Sequence, residues 1–525
     1  MARTPLFRQL QQIRRVAGEA QKSSAPIDEI WHEHEARQLD RREFLRRAAL
    51  LAAGLAFLPR HRLLAATGQL QKIAIIGGGL AGLSCAYRLK QQGIFATVYE
   101  GAERLGGRCF TLRDAFADGQ TVERGGELID TDHVHVRRLA RELELTLDDL
   151  HAHEAPHSEE LYFFHGARYS RVEATRDFQK ILPLLQRDFA ASGGETSWNK
   201  SNAAGRALDQ ISIADWIRKN VPDGLESSLG RLLKTAYTTE YGGEITAQSA
   251  LNLVYQIGET ERGHFDVLGS SDERFHVRGG NDLLVSRLAA KLRDRIERPR
   301  KLVAIRRLSD GRFDLVFDRG NATADKVVLA VPFTMLRKSV DLSRAGLSPR
   351  KLTAIREIGM GTNSKLHLQF NDRLWEKRGY NGEVFTDTGF QNCWDTTRAQ
   401  PGRAGILLNF TGGKVGASFG RGDEASHAKN FLGQIEPALP GLTSAWNQKS
   451  AVTCWLKNPW SRGSYSFWRV GQYAKFAGYE GVPEGNLHFC GEHTSEFQGF
   501  MNGAVESGER VAREIAGRRA SQQAA

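Results

Sequence analysis

From residue 72 onward the chain alternates short apolar runs with longer stretches of helical periodicity, and the sharpest transition comes first. Ile73, Ile75 and Ile76 belong to an apolar run of the kind buried on both faces in a parallel sheet. Gly77, Gly78 and Gly79 follow at once, and then a helical pattern opened by Leu80, Ala81, Gly82 and Leu83. A second strand, Ala96 to Tyr99, ends in Glu100. Further on, Arg278-Gly279-Gly280-Asn281 precedes a helical pattern. It is followed by the strand Leu302-Val303-Ala304-Ile305, the alternating Phe313 to Phe317 and the apolar Val327 to Val331. In Lys365 to Phe370 alternation puts Lys365, His367 and Gln369 on one face and Leu366, Leu368 and Phe370 on the other. Near the end, Ala504, Val505, Val511 and Ile515 predict a helix starting near Met501.

The segments are of two kinds. Glycine-and-strand segments occur at 70–130, 271–335 and 480–517, while 131–270 is mostly helical and 336–479 mixed. This interleaving predicts two discontinuous domains, and 525 residues are enough for two that share a large interface. Ser192-Gly193-Gly194-Glu195 reads as a surface loop.

The glycines carry the first chemistry. Gly77 permits a tight turn, Gly79 lets the backbone approach a pyrophosphate, and Gly82 lets the helix pack closely on the strand. Phosphates are favoured at the amino end of that helix by its unpaired N–H groups and its dipole. Glu100 stands where an acid accepts hydrogen bonds from an adenosine ribose, which argues against a 2′-phosphate. A dinucleotide cofactor is the expectation.

Two further motifs make it specific: Glu103-Arg104-Leu105-Gly106-Gly107-Arg108 and, far away, Gly491-Glu492-His493 with Gly499-Phe500-Met501-Asn502-Gly503-Ala504. With these the chain resembles the flavin-dependent amine oxidases, the family of the monoamine oxidases, polyamine oxidases and L-amino acid oxidases, over residues 72–517. The resemblance implies an α/β (α+β) fold, a two-domain FAD-binding Rossmann-like architecture with an interleaved substrate domain. It places Gly107 and Arg108 against the FAD pyrophosphate and Gly491 and Glu492 near the ribityl chain. Gly125, Gly126 and Glu127 would approach the flavin ring, with Leu80, Ala81, Val303, Met501 and Ala504 as further cofactor contacts.

Catalytic expectations follow from the same resemblance. Lys365 matches the lysine that holds a water against flavin N5, although a lysine on an edge strand is ordinarily a solvated charge. Tyr465 and Phe500 match the two aromatic residues that flank the amine, with Trp460 nearby. Phe500 keeps the ring and loses the hydroxyl. Asp130 matches the acid or histidine of polyamine oxidases, and Glu127 and Asp130 together would favour a cationic substrate. A helix cap is the competing reading for Asp130. Leu128 stands where L-amino acid oxidases carry an arginine, leaving Arg462 or another cation to bind a substrate carboxylate. Ser464 stands where covalently flavinylated relatives have cysteine, so the FAD is expected to be dissociable.

Charge and composition narrow the partners. Of a formal net charge of +11, about half lies in residues 1–66, which hold 12 Lys and Arg against 7 Asp and Glu. No compact basic run with interleaved aromatics appears, so no nucleic-acid partner is expected. Five cysteines, Cys85, Cys109, Cys393, Cys454 and Cys490, lack metal-ligand spacing and read as core thiols, and no metal is expected. Asp40-Arg41-Arg42-Glu43-Phe44-Leu45, the apolar Ala48 to Leu58 and the small Ala65-Ala66 resemble a twin-arginine export leader behind a long extension at 1–39. Its apolar run, at 1.5 Å per residue, covers about half of a ~30 Å hydrocarbon core, so no stable membrane span is expected. The expected location is periplasmic or exported.

The expected activity is oxidation of the C–N bond of a primary amine, polyamine or cationic L-amino acid. Hydride passes to flavin N5, the imine hydrolyses in water, and O2 reoxidises the flavin to give hydrogen peroxide. An amine dehydrogenase passing electrons to a quinone or carrier, an L-amino acid oxidase, a carbon–carbon desaturase or porphyrinogen oxidase, and an electron-carrying flavoprotein remain as alternatives. The oligomeric state is open, a homodimer being one option.

Overall fold

The computed structural model describes residues 71–259 and 271–523. The leader at 1–66 lies outside the described residues. Among the described residues no helix is long and apolar enough to cross a membrane.

A five-stranded parallel sheet forms the base of one half of the fold, in the order Leu487–Phe489, Lys326–Leu329, Ile73–Ile76, Ala96–Tyr99 and Ile296–Glu297. Its central strand is buried along its whole length. Ile73 and Ile75 share a core with the helices Leu80–Gln91 and Met501–Gln523, while Ala74 and Ile76 face Ile305, Phe313 and Leu315 of a second, four-stranded sheet. Burial on both faces is what the unbroken apolar run requires, at about 2 kcal/mol for each large aliphatic side chain.

The final helix is clamped to its neighbours by charge. Glu509 receives Arg88 at 2.7 Å, Arg138 at 2.5 Å and His135 at 2.8 Å. Burial opposes ionisation of that carboxyl, but these partners hold it down at about 2. Asn502 accepts the N–H groups of His135 and Val136 at 3.0 and 3.1 Å, capping the helix Val134–Glu142 from outside.

A seven-stranded sheet dominates the other half, in the order Trp446–Cys454, Ser364–Phe370, Gly405–Thr411, Asn392–Asp395, Tyr380–Thr386, Glu159–Phe164 and Ala167–Tyr169. The helices Arg171–Ser192, Ile213–Asn220, Ser228–Tyr241 and Ala250–Ile257 pack around Phe178, Trp216 and Tyr237. Ser364–Phe370 is paired on both sides and buried throughout, so Lys365 is not on an edge strand.

Two segment boundaries differ from the sequence reading. Val134–Glu142, read as part of the substrate segment, buries Val136, Leu139 and Ala140 in the core shared with Ile73, Ile75 and the helix Leu80–Gln91. Asp341–Arg344, beyond the boundary at 335, pairs in parallel with Leu302–Arg307 of the four-stranded sheet. An amphipathic face shows in a local pattern that it must be covered, but not which half covers it. All five cysteines are free, four of them buried.

Candidate active site

A cavity of about 850 Å³ runs between the two halves, with Gly77, Gly79 and Glu100 at one end and Lys365, Tyr465 and Phe500 at the other. The first end is built from backbone. Gly77 turns the chain at φ 110°, and its N–H donates to Tyr99 O at 2.8 Å. The helix Leu80–Gln91 opens at Gly79 with no side-chain cap, unlike Arg171–Ser192, whose Ser170 and Glu173 form a capping box. Its first N–H groups are therefore left for an anion. A Cβ on Gly79 would meet no atom within 4 Å, so glycine there keeps space open at the helix end, whereas a Cβ on Gly82 would lie 2.1 Å from Gly77 O. Gly82 sets the helix on the strand and does not line the cavity.

Glu100 accepts the N–H of Gly78 and of Ala102, each at 2.7 Å, and burial raises its carboxyl above the ordinary range. A phosphate cradle beside an acid suits the diphosphate and ribose of a dinucleotide. Farther along, Arg108 pairs with Glu492 at 2.7 Å and donates to Ser464 O at 2.6 Å. Burial opposes the Glu492 charge, but Arg108, His493 and the Ser466 hydroxyl together hold the carboxyl below its usual range. Gly107, Gly491, Leu80, Ala81, Met501 and Ala504 line the same cavity.

The other end is built from side chains. Lys365 pairs with Glu127 at 2.6 Å and donates to Gly125 O at 2.9 Å and Glu123 O at 3.2 Å, which accounts for its three N–H donors. Trp394 donates to the other Glu127 oxygen at 3.1 Å. Burial pushes the Glu127 carboxyl up, but Lys365, His367 and Trp394 together hold it below its usual range. Gly125 is pressed into this wall, since a Cβ there would lie 1.7 Å from Arg108 O, and Gly126 and Leu128 continue it. Tyr465 is anchored by its hydroxyl to Thr239 O at 3.1 Å, and its ring lies against Gly499, next to Phe500.

A family model for flavin containing amine oxidoreductases matches residues 80–516. The chain belongs to that family. It is 27% identical over 479 residues to the flavin-dependent L-tryptophan oxidase RebO of Lentzea aerocolonigenes, covering 85% of this chain and 98% of that one. It is 24% identical over 473 residues to flavin-containing amine oxidase A of Bos taurus, with 85% of each chain covered. Among solved structures, cyclohexylamine oxidase from Brevibacterium oxydans IH-35A shares the fold at a TM-score of 0.75 and 22% identity, over 86% of this chain and 99% of that one. This flavin containing amine oxidoreductase is an enzyme acting on amines, it has the amine oxidase FAD-binding fold, and its cofactor is a flavin.

Four residues stand elsewhere in this flavin containing amine oxidoreductase than the sequence reading put them. Asp130 is buried behind the wall, accepting from Ser271 Oγ at 2.8 Å and Glu273 N at 2.9 Å, because Ile129 and Phe275 pair and turn it toward that segment. It does not cap Val134–Glu142. Val303 is 41% exposed and outside the cavity lining, to which its neighbour Leu302 contributes, as strand alternation demands. Trp460 lies against Gly101, beside Glu100, and not with Tyr465. Arg462 is exposed and lines nothing.

Three lining acids escaped the sequence reading: Asp318, which accepts the Lys301 N–H at 2.9 Å, and Glu240 and Glu273. Burial and then the nearby Asp130 push Glu240 up to about 7. Glu273 is raised well above its usual range by burial and by Glu383, Asp130 and Glu240, against Arg398. Glu240 had a signal: it falls in the last turn of Ser228–Tyr241, where the helix dipole disfavours an anion. Trp394 and Phe410, which ring Lys365 Nζ at 5.8 and 6.0 Å, share its sheet face through the pairing of Lys365 with Phe410.

Proposed function

We propose that this chain is an amine oxidase that binds FAD non-covalently and acts on amines bearing more than one positive charge. The observation that carries the reading is the pair Glu240 and Glu273 in the wall of the cavity that Lys365 and Tyr465 also line, with Glu240 near enough to add to burial in raising the Tyr465 hydroxyl. Acids raised by burial and like charge are stabilised most by a cation arriving from outside. The lining cations Arg104, Arg108, Arg300, Lys301 and Arg319 belong to the cofactor end, and Lys365 is committed to Glu127. A zwitterionic amino acid therefore finds acids where its carboxylate needs a cation, which favours polyamines over amino acids.

When bound, the flavin supplies a hydride acceptor for the carbon attached to nitrogen and passes the electrons to O2 or another acceptor. The protein orients the substrate. Tyr465, fixed through Thr239, and Phe500, backed by the His133 ring at 4.8 Å, present aromatic faces to it. The amino end of Met501–Gln523 aims N–H groups at the same region and favours negative charge there. Lys365 holds the Gly125 wall in place and keeps Glu127 ionised. At Ser464 the group donated to Asn363 at 2.6 Å is a hydroxyl, which supports a dissociable cofactor. Denaturation should release all the yellow colour into solution.

Anaerobic mixing with a polyamine, a monoamine, L-arginine and L-tryptophan tests the reading. The polyamine should bleach the flavin at the lowest concentration, and the rate should rise with pH as the reacting ammonium loses its proton. Faster bleaching by L-tryptophan, or by no amine at all, would refute it. Reoxidation with and without O2 separates an oxidase, which forms hydrogen peroxide, from a dehydrogenase. Export through the 40–66 segment is part of the proposal, and replacing Arg41 and Arg42 with lysine should retain the protein in the cytoplasm.

A further inference from the structure

We infer that Trp460 is a latch on the cofactor, an indole carried from the substrate half that closes the ribose end of the crevice and sets how fast FAD leaves. The inference rests on the proposed binding of FAD. Trp460 sits in the turn that follows the strand Trp446–Cys454. That turn is fixed from several sides. Asn458 Oδ1 accepts the Trp460 N–H at 2.9 Å, and the Arg462 and Gly463 N–H groups return to Asn458 O at 2.9 Å and Trp455 O at 3.0 Å. Thr334 reaches across from the helix Phe333–Ser339 to donate to Ser461 O at 2.5 Å. The indole is thereby held over residue 101. A Cβ on Gly101 would lie 2.5 Å from Trp460 Cζ3, 3.1 Å from Cη2 and 3.2 Å from Cε3, so the six-membered ring fills the space where a side chain would stand.

The position is specific. Gly101 lies between Glu100, whose carboxylate lines the crevice, and Ala102, whose N–H closes on that carboxylate. Trp460 itself lines the crevice, yet it is 37% exposed. A large apolar ring held rigidly at the mouth of a cavity leaves apolar area in water, a standing cost in free energy. A dinucleotide in the cradle beneath offers that ring a ribose edge to cover, and the ring in turn bars the way out.

The experiment is FAD release. Holoprotein is diluted and the recovery of free flavin fluorescence is followed for wild type, Trp460→Ala, Trp460→Phe, Gly101→Ala and the double variant Gly101→Ala/Trp460→Ala. An aromatic contact of this kind predicts release about tenfold faster for Trp460→Ala. Trp460→Phe should fall between it and wild type. Gly101→Ala displaces the indole by steric contact, so it should also speed release, and the double variant should be no faster than Trp460→Ala. Indole emission of the apoprotein should be quenched on adding FAD, with a smaller quench in Trp460→Phe, while the melting temperature of the apoproteins stays near wild type. Unchanged release from Trp460→Ala overturns the latch while leaving the proposed function standing. Additive effects of Gly101→Ala and Trp460→Ala also overturn it. An apoprotein that takes up no FAD overturns both.

Discussion

The two ends of one crevice are built by different means. At the dinucleotide end the cradle itself is backbone, the uncapped opening of Leu80–Gln91 and the glycines around it, with Glu100 placed 22 residues after the Gly78 N–H it accepts and a surround of cations such as Arg104 and Arg300. At the substrate end the lining groups are side chains from scattered stretches: Glu127, Glu240, Glu273, Lys365, Tyr465 and Phe500. Backbone donors serve a diphosphate whatever the neighbouring side chains are, whereas the substrate end is fixed only when distant segments meet. The first end is robust to side-chain change and the second is electrostatically balanced.

Lys365 is where that contrast breaks most visibly. Its side chain is 6% exposed and that of Glu127 7%, so Lys365→Met leaves a buried carboxylate without its cation. Removing one partner of such a pair costs about 3–5 kcal/mol. Urea unfolding should show that loss, and Lys365→Met/Glu127→Gln should recover most of it. At the other end Glu100→Gln should cost the apoprotein only about 1 kcal/mol, because one oxygen still accepts a backbone N–H. Equal losses at the two ends would erase the distinction.

Glu240 tests the balance without breaking the fold. Glu240→Gln should raise the KM for a polyamine about 30-fold, the effect of removing one charge from a desolvated pair. In the wild type the affinity should fall as pH drops through about 7, because the carboxyl then takes up a proton and loses its attraction for the substrate. The variant should lack that limb. The same variant should be the more stable apoprotein at pH 8, by about 2 kcal/mol. The sign follows from a folded-state value raised above the ordinary one: between the two the native state holds the extra proton, so stability falls as pH rises to about 7. A melting curve showing Glu240→Gln less stable at pH 8 would contradict this.

The sequence carried the first end almost completely. Ile73–Ile76, the glycine turn and Glu100 lie within about thirty consecutive residues, and each reads through local rules of strand burial, turn geometry and helix polarity. The second end was legible only where resemblance named a position, as at Lys365 and Tyr465. Even there the bonding of Lys365 to Glu127, Gly125 and Glu123 required tertiary structure. Asp130 shows the limit: alternation along residues 127–130 cannot foresee that Ile129 would pair with Phe275 and turn the acid away from the cavity. Trp460 shows it again, since the direction of a turn after a strand is set by Asn458 and Thr334, not by aromatic spacing.

The smallest effect separates contact from influence. Asp130 touches no part of the cavity, yet its charge is among the causes that raise both Glu240 and Glu273. Asp130→Asn keeps one oxygen to accept the Glu273 N–H and removes the like charge, so both acids should ionise more readily. The pH limb of polyamine affinity should move toward acid, with little change at pH 9, well above the value of about 7 at which Glu240 takes up its proton. Because Glu240 is among the groups that raise Glu273, a change that lets Glu240 ionise acts on Glu273 as well. A uniform loss of affinity at every pH would instead make Asp130 a direct ligand of the substrate, and a shift toward alkaline pH would invert the electrostatics drawn for this wall.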